Sequence, residues 1–282
     1  KIWTDIPAWQ WEREKFDDGM RSRILWKLET DNVESNYHRA IIDEELFTVA
    51  IAADLSQYFP DNDVLNDILE VAYIIYDERS LFDEAGGWLF QPGIMADHPD
   101  YLFAGYEDKN DVDGILPVSD ITLDSSHSHR FPLWIRSFIE AYPEDSEEKD
   151  MFIKIYEGLE IQFYDKVLVM PDEKKPYYQL TNFMDGHNGI YRWNYATNKK
   201  GKGYGPYELS GTFTIGWWTF LGTERVKKVY LDLSQQFPLP KETIDLYVGP
   251  NTSRERNPLI KDPDSYQNGY KELISILAAE IR

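Results

Sequence analysis

A mainly α fold is predicted by three features of the 282-residue sequence: apolar residues at helical spacing, segments of this kind in pairs, and short connections within pairs but long ones between them. The length suits one domain spanning 1–282 with a core large enough to need no staples. The expected architecture is a set of helical hairpins whose long loops share one face.

The elements follow in chain order. Trp9 to Leu28 is read as the opening helix. Asn36 to Tyr58 carries Tyr37, Ile41, Ile42, Phe47, Ile51 and Leu55 at near-helical spacing, with further apolar residues on other faces, which predicts a largely buried helix that stops before Pro60. Asp61-Asn62-Asp63 supplies capping residues for a second, amphipathic helix over Val64 to Asp77, whose polar face marks it as an outer one. The arrangement repeats in Phe131 to Tyr142, where Pro132 suits a first helical turn, and in Glu147 to Lys166, with Ser146 as N-cap. Tyr207 to Leu221 and Glu224 to Phe237 form the third pair, and Ser265 to Arg282 closes the chain.

The returns between pairs, about 78 to 125, 167 to 206 and 238 to 264, are long and rich in Trp, Tyr, Gly and Pro, as ordered functional loops are. In an antiparallel hairpin array such returns fall on the face bearing the N-termini of the inner helices, and the site is expected there. Alternating inner and outer helices with elaborated loops at one end resembles the α/α-toroid enzymes, most of which cleave or modify carbohydrates. About four pairs are countable, so the resemblance implies an incomplete toroid, or horseshoe, rather than a closed ring of six pairs.

Composition narrows the function. Twenty-nine Lys and Arg against 50 Asp and Glu give a net charge of −21, which repels a phosphate backbone, so no nucleic-acid partner is expected. The absence of cysteine excludes disulfides, thiolate nucleophiles, Cys-ligated zinc and iron–sulfur clusters. No run of eighteen apolar residues occurs, so no membrane insertion is expected. Lys1 in place of an initiating methionine fits removal of a signal peptide, and a secreted or periplasmic location is expected. Nine Trp, 19 Tyr and 14 Phe exceed what core packing usually needs, which assigns some of them to a binding surface.

Two segments concentrate chemistry. All five histidines, His38, His98, His127, His129 and His187, fall in long loops or at the starts of inner helices. The densest stretch, Asp124-Ser125-Ser126-His127-Ser128-His129-Arg130, leads into an inner helix; capping explains one or two of the aspartate and three serines but not His127, His129 and Arg130. It is similar to the Asn-Asn-His-Ser-Tyr-Trp motif of alginate lyases and related toroid lyases, matching at His127-Ser128 and carrying Ser125-Ser126 where the motif has paired Asn. The second segment runs from Asn182 to Tyr195 and holds Asp185, His187, Asn188, Tyr191, Arg192 and Trp193. Around it, Lys174, Lys175, Arg192, Lys199, Lys200 and Lys202 outnumber Asp172, Glu173 and Asp185, which favours attraction of a polyanion, with Tyr195, Tyr204 and Tyr207 for sugar stacking.

A lyase acting on a uronic acid must neutralise the carboxylate, remove the C5 proton and protonate the departing oxygen. Arg130, Arg192 and Asn188 are the candidate neutralisers, His127 or His187 the base, and Tyr191 the acid. Trp193, Tyr195, Tyr207, His129, His38 and Asp124 are the further candidates for holding the polysaccharide or oligosaccharide substrate. A glycoside hydrolase would instead need two carboxyl groups, for which Asp124, Asp185 and Glu208 are candidates on the same face. A non-catalytic glycan-binding protein would keep the aromatics without the acid–base pair. No cofactor is expected. The zinc reading, His127 and His129 with Asp124 or His187, ranks below these, and Asp108 to Gly114 lacks the spacing and the bidentate Glu of a calcium loop.

Overall fold

The fold was analysed in a computed structural model that describes every residue except 11–14, 32, 196–200, 251–260 and 282. It is mainly helical with few short strands. The helices are α1 (Gly19–Glu29), α2 (Asp43–Ser56), α3 (Asp63–Arg79), α4 (Ser125–Ser128), α5 (Phe131–Ala141), α6 (Glu147–Gln162), α7 (Glu224–Gln235), α8 (Lys241–Val248) and α9 (Tyr270–Glu280). Among the described residues, two antiparallel hairpins lie in the long returns: β1 (Ser80–Phe82) with β2 (Trp88–Phe90), Leu81 opposite Leu89, and β3 (Leu168–Val169) with β4 (Gln179–Leu180), Leu168 opposite Leu180.

The capping signals behave as their chemistry requires. Asn62 accepts from the amides of Val64 and Leu65, Ser146 from that of Lys149 and Thr223 from that of Val226, setting the starts of α3, α6 and α7. Helical periodicity overruns the structure wherever tertiary partners claim the backbone. The segment expected as one helix from Asn36 breaks into a 3₁₀ turn, Asn36–Arg39, and α2, because the Gln91 side chain takes both the N–H and the C=O of Ile41, each at 3.0 Å. Glu45 then accepts from the Ile42 amide at 2.9 Å and opens α2 afresh. Ile51 and Leu55, expected to be buried, are exposed.

The expected helix from Tyr207 becomes two 3₁₀ segments, Ser210–Ile215 and Trp217–Leu221, separated by Gly216 at φ 89°, where an added Cβ would meet Ile274 at 2.9 Å. The closing helix begins only at Tyr270, after Gly269 at φ 86°, with Asp264–Tyr266 a separate short turn; Arg282 lies outside the described residues. The opening helix is confined to Gly19–Glu29, since Ala8 and Phe16 pair as an antiparallel bridge ahead of it; residues 11–14 lie outside the described residues. Past Gln162, α6 widens into a looser helical turn, Phe163–Val167, and the return expected over 238 to 264 contains α8.

The packing is sequential. α2 rests on α3 and α5, α5 on α6 and on Trp217–Leu221, that turn on α7, and α7 on α9. Aromatic rings fill the centre: Tyr76 meets Trp88, Phe90, Phe138 and Phe152, while Phe163 stacks on Trp218 at 4.3 Å. A second, smaller cluster of Tyr101, Ala104, Ile121, Phe183, Tyr191 and Leu209 packs the long returns together. Among the described residues, no helix is long and apolar enough to cross a membrane.

Candidate functional site

The returns are joined by backbone pairing. Asp124 bridges Phe183, with the Ser125 amide donating to Asn182 O at 2.9 Å and the Met184 amide to Leu123 O at 3.0 Å. The Arg192 amide donates to Asp100 O at 2.8 Å, and Tyr191 bridges Tyr204. Gly189 permits this approach: a Cβ there would lie 1.6 Å from the Ala104 carbonyl oxygen. The two chemistry-bearing segments thereby meet at the N-terminal end of α2, around a cleft of about 440 Å³. Its walls are Ile41–Glu44 and Leu46 at α2, Gln91 and Met95, then His98, Asp100 and Tyr101, then Leu123, Asp124 and His127, and finally Tyr191, Arg192 and Tyr195.

Asp124 organises the polar end. It is buried and accepts from the His127 amide at 3.2 Å, from His127 Nδ1 at 2.8 and 2.9 Å, from the Tyr101 hydroxyl at 2.9 Å and from the Ser126 hydroxyl. One carboxylate therefore caps α4 and orients an imidazole. Burial alone would raise its pKa, but His127, with Arg192 and the Ser126 hydroxyl, holds it well below the usual carboxylate range. The same pairing raises the pKa of His127, Asp124 outweighing the cost of burying the imidazolium. Burial drives the Tyr101 and Tyr191 hydroxyls well above their ordinary values, and Asp124 adds to this, so both are firmly protonated phenols.

Arg192 donates from Nε to Asp100 Oδ2 at 2.8 Å, and its guanidinium carbon lies 5.0 Å from the centre of the Tyr191 ring and 4.5 Å from that of Tyr195. Its backbone sits at φ 57°, and Gln91 at φ 43°; among the described non-glycine residues these two and Tyr207 are the ones with positive φ, and the first two line the cleft. Two of these three strained positions thus fall in the walls of one cleft.

Of the residues singled out in the sequence, Asp124, His127, Tyr191, Arg192 and Tyr195 line the cleft. The others do not. Arg130 stands behind it, paired with Asp43, which does line it, and over the Phe47 ring. His129 is buried edge-on to Trp217, and its pKa is lowered to about 3 by burial, with Arg130 and His127 adding repulsion. Asp185 accepts from the amides of Thr122 and His187, and the half-exposed His187 ring pairs with it at 3.2 Å. Asn188 Oδ1 accepts from the amides of Asn182 and Tyr207, which makes it a brace between loops. Glu208 binds Lys109 and the Gly205 amide. Trp193 packs against Phe103, Tyr207 under Lys175, and His38 is buried against Tyr37.

Asp43, Gln91, His98, Asp100 and Tyr101 join the site although no motif announces them; the placement of His98 in a long loop is the one signal the sequence offers. Lys199 and Lys200 of the expected basic patch lie outside the described residues, and the cleft is lined by Asp43, Glu44, Asp100 and Asp124 against Arg192 and His127. The cleft therefore offers placed donors rather than a positive field. Among the described residues, no three His, Asp or Glu side chains come together as a metal site. No family model matches the chain, and no curated protein or solved structure matches it.

Proposed function

We propose that the chain is an incomplete α/α toroid that cleaves a uronate-containing polysaccharide by β-elimination outside the cytoplasm. The observation that carries this reading is the convergence of His127, Tyr191 and Arg192, from segments some sixty residues apart, on one cleft with Asp124 fixing the imidazole. The stacking of α2, α5 and Trp217–Leu221, each backed by the helix that follows it, supports the toroid.

Each group has a part that suits its ionisation. Arg192 holds the uronate carboxylate, which makes the C5 proton acidic. With Nδ1–H donated to Asp124, neutral His127 presents Nε2 as the base. As it takes the C5 proton, the C5–H electrons form the C4–C5 double bond and the C4–O bond breaks. The leaving oxygen takes the proton of the Tyr191 hydroxyl, whose raised pKa keeps it loaded with that proton. The resulting phenolate and imidazolium are restored when the proton on His127 returns to Tyr191 through solvent.

The test is incubation with a panel of uronic-acid polysaccharides, with ultraviolet detection of the new double bond and His127→Ala and Tyr191→Phe as controls. New reducing ends without unsaturation would replace this reading with a glycoside hydrolase, which Asp43, Asp100 and Asp124 along the same cleft favour as the second reading. Glycan binding without any cleavage would leave a binding protein.

A further inference from the structure

His98 is not used by the chemistry above, yet it lines the same cleft beside Arg192. Its Nδ1 accepts the Asp100 amide at 3.1 Å, and an amide can only donate, so the ring proton resides on Nε2. No group among the described residues takes a hydrogen bond from that Nε2. Tyr37 and Tyr101 stand edge-on to the ring, with centroids at 4.8 and 6.1 Å, and fix its plane. Asp100 is therefore a shared support: its amide sets the tautomer of His98, its carbonyl anchors the Arg192 amide, and its carboxylate orients the Arg192 guanidinium.

A carboxylate has two oxygens and is held well by two donors of fixed direction. Arg192 spends Nε on Asp100, and the hydroxyls of Ser126 and Ser128, on either side of His127, are committed to the carboxylate and the carbonyl of Asp124. We propose that His98, as a neutral imidazole donating from Nε2, is the second carboxylate-binding group of the cleft and makes it select uronates over the corresponding neutral sugars. This assignment rests on the uronate reading of the cleft. Burial keeps the ring neutral, and the charged groups around it, Asp97, Asp100 and Asp124 against Arg192, do not reverse that. A neutral donor beside a cation suits a cleft rich in carboxylates, since it adds a hydrogen bond without drawing another acid into a salt bridge.

The experiment uses nitrogen-15 NMR of the histidine rings in the intact chain, with His98→Ala for assignment, and D-glucuronate, D-galacturonate and D-glucose as probes. The expected result is a His98 proton on Nε2 in the free protein, and a shift of that nitrogen with at least one uronate but not with glucose. A proton on Nδ1, no shift with either uronate, or a uronate that moves His127 alone overturns the assignment. The last of these leaves the uronate reading standing. A His98 shift in a protein that yields no unsaturated product keeps the binding role and overturns the lyase.

On a polysaccharide that is cleaved, His98→Ala is expected to raise KM about tenfold with a smaller change in kcat. His98→Gln, which carries an amide donor out to the Nε2 position, should recover most of the loss, and His98→Asn, whose donor falls short, should not. Equal effects of Ala, Gln and Asn with unchanged thermal stability would show that the ring merely fills space.

Discussion

Asp124–His127 and Asp185–His187 are the same chemical pair placed in two different surroundings. Both join a carboxylate to Nδ1 of a nearby histidine, at 2.8 and 3.2 Å. In the first, the Asp side chain is 2% exposed and the His 29%; in the second the figures are 12% and 47%. Asp124 also gathers Tyr101, Ser126 and the approach of Arg192, whereas Asp185 serves the amides of Thr122 and His187. Asp124 shifts His127 upward, because a carboxylate stripped of water interacts strongly with whatever cation it keeps. The electrostatics of a carboxylate–imidazole pair are thus set by its depth and its other partners.

The largest separation between the pairs is expected from Asp→Asn. Asp124→Asn leaves the shape but removes the charge that orients and raises His127, and should lower kcat on the order of 10³-fold. Asp185→Asn should change it less than about twofold. Similar losses in both, with native near-ultraviolet dichroism retained, would erase the distinction and point to loop order as the common cause.

Removing the hydroxyls comes next. With Tyr191 as the proposed acid, whose proton is needed only as the bond breaks, Tyr191→Phe should reduce kcat by about 10² to 10³ with little change in KM. Tyr207→Phe, outside the cleft and beneath Lys175, should be silent. Steady-state rates on one polysaccharide decide it, and a silent Tyr191→Phe would assign the leaving-group proton to another donor, with Tyr101 the first to examine.

The two pairs also show what a sequence can reveal. Both lie in segments marked by density of His, Asp, Tyr and Arg, and that density is visible because loops without packing duties show their chemistry openly. Which pair is buried depends on Asp100 and Tyr101, more than twenty residues upstream, meeting Asp124 and Arg192, and no local pattern encodes that meeting. The same limit governs the helices. Caps such as Asn62 and Ser146 act within one turn and are readable, while the break at Ala40–Ile42 comes from Gln91, about fifty residues away. The Tyr207 to Leu221 stretch has the apolar content of a helix, but Gly216 and its contact with Ile274 divide it. Much of the aromatic surplus assigned to a binding surface in fact fills the core around Tyr76 and Trp218.

The pH response sharpens the contrast further. The proposed base role requires a neutral His127, whose pKa in the folded chain lies above 6.5 because of Asp124. kcat/KM should therefore fall tenfold per unit as pH drops below that raised value. Its contribution to stability runs the other way: fully present below 6.5, where both states are protonated, and lost as pH rises through the folded value. In Asp124→Asn the remaining activity should titrate at lower pH, while Asp185→Asn keeps the wild-type midpoint. A midpoint that ignores Asp124 would remove His127 from the base role.

The smallest effect concerns His129, two residues from His127 in the same turn but with no carboxylate of its own. Buried and unpaired at Nδ1, it stays neutral in the folded chain down to about pH 3, whereas the unfolded chain takes up a proton near 6.5. Above 6.5 neither state is charged and the residue is neutral for stability. Below it, folding must exclude a proton that the unfolded chain binds, at a cost of about 1.4 kcal/mol per pH unit. His127 adds no slope over that window, being protonated in both states. Comparing wild type with His129→Gln by denaturant unfolding at pH 6.5 and 5 cancels the carboxylate contributions common to both chains. Wild type should lose about 2 kcal/mol more than the variant. Parallel losses would mean that His129 protonates without unfolding, and that the turn holding His127 yields to a second charge instead of excluding it.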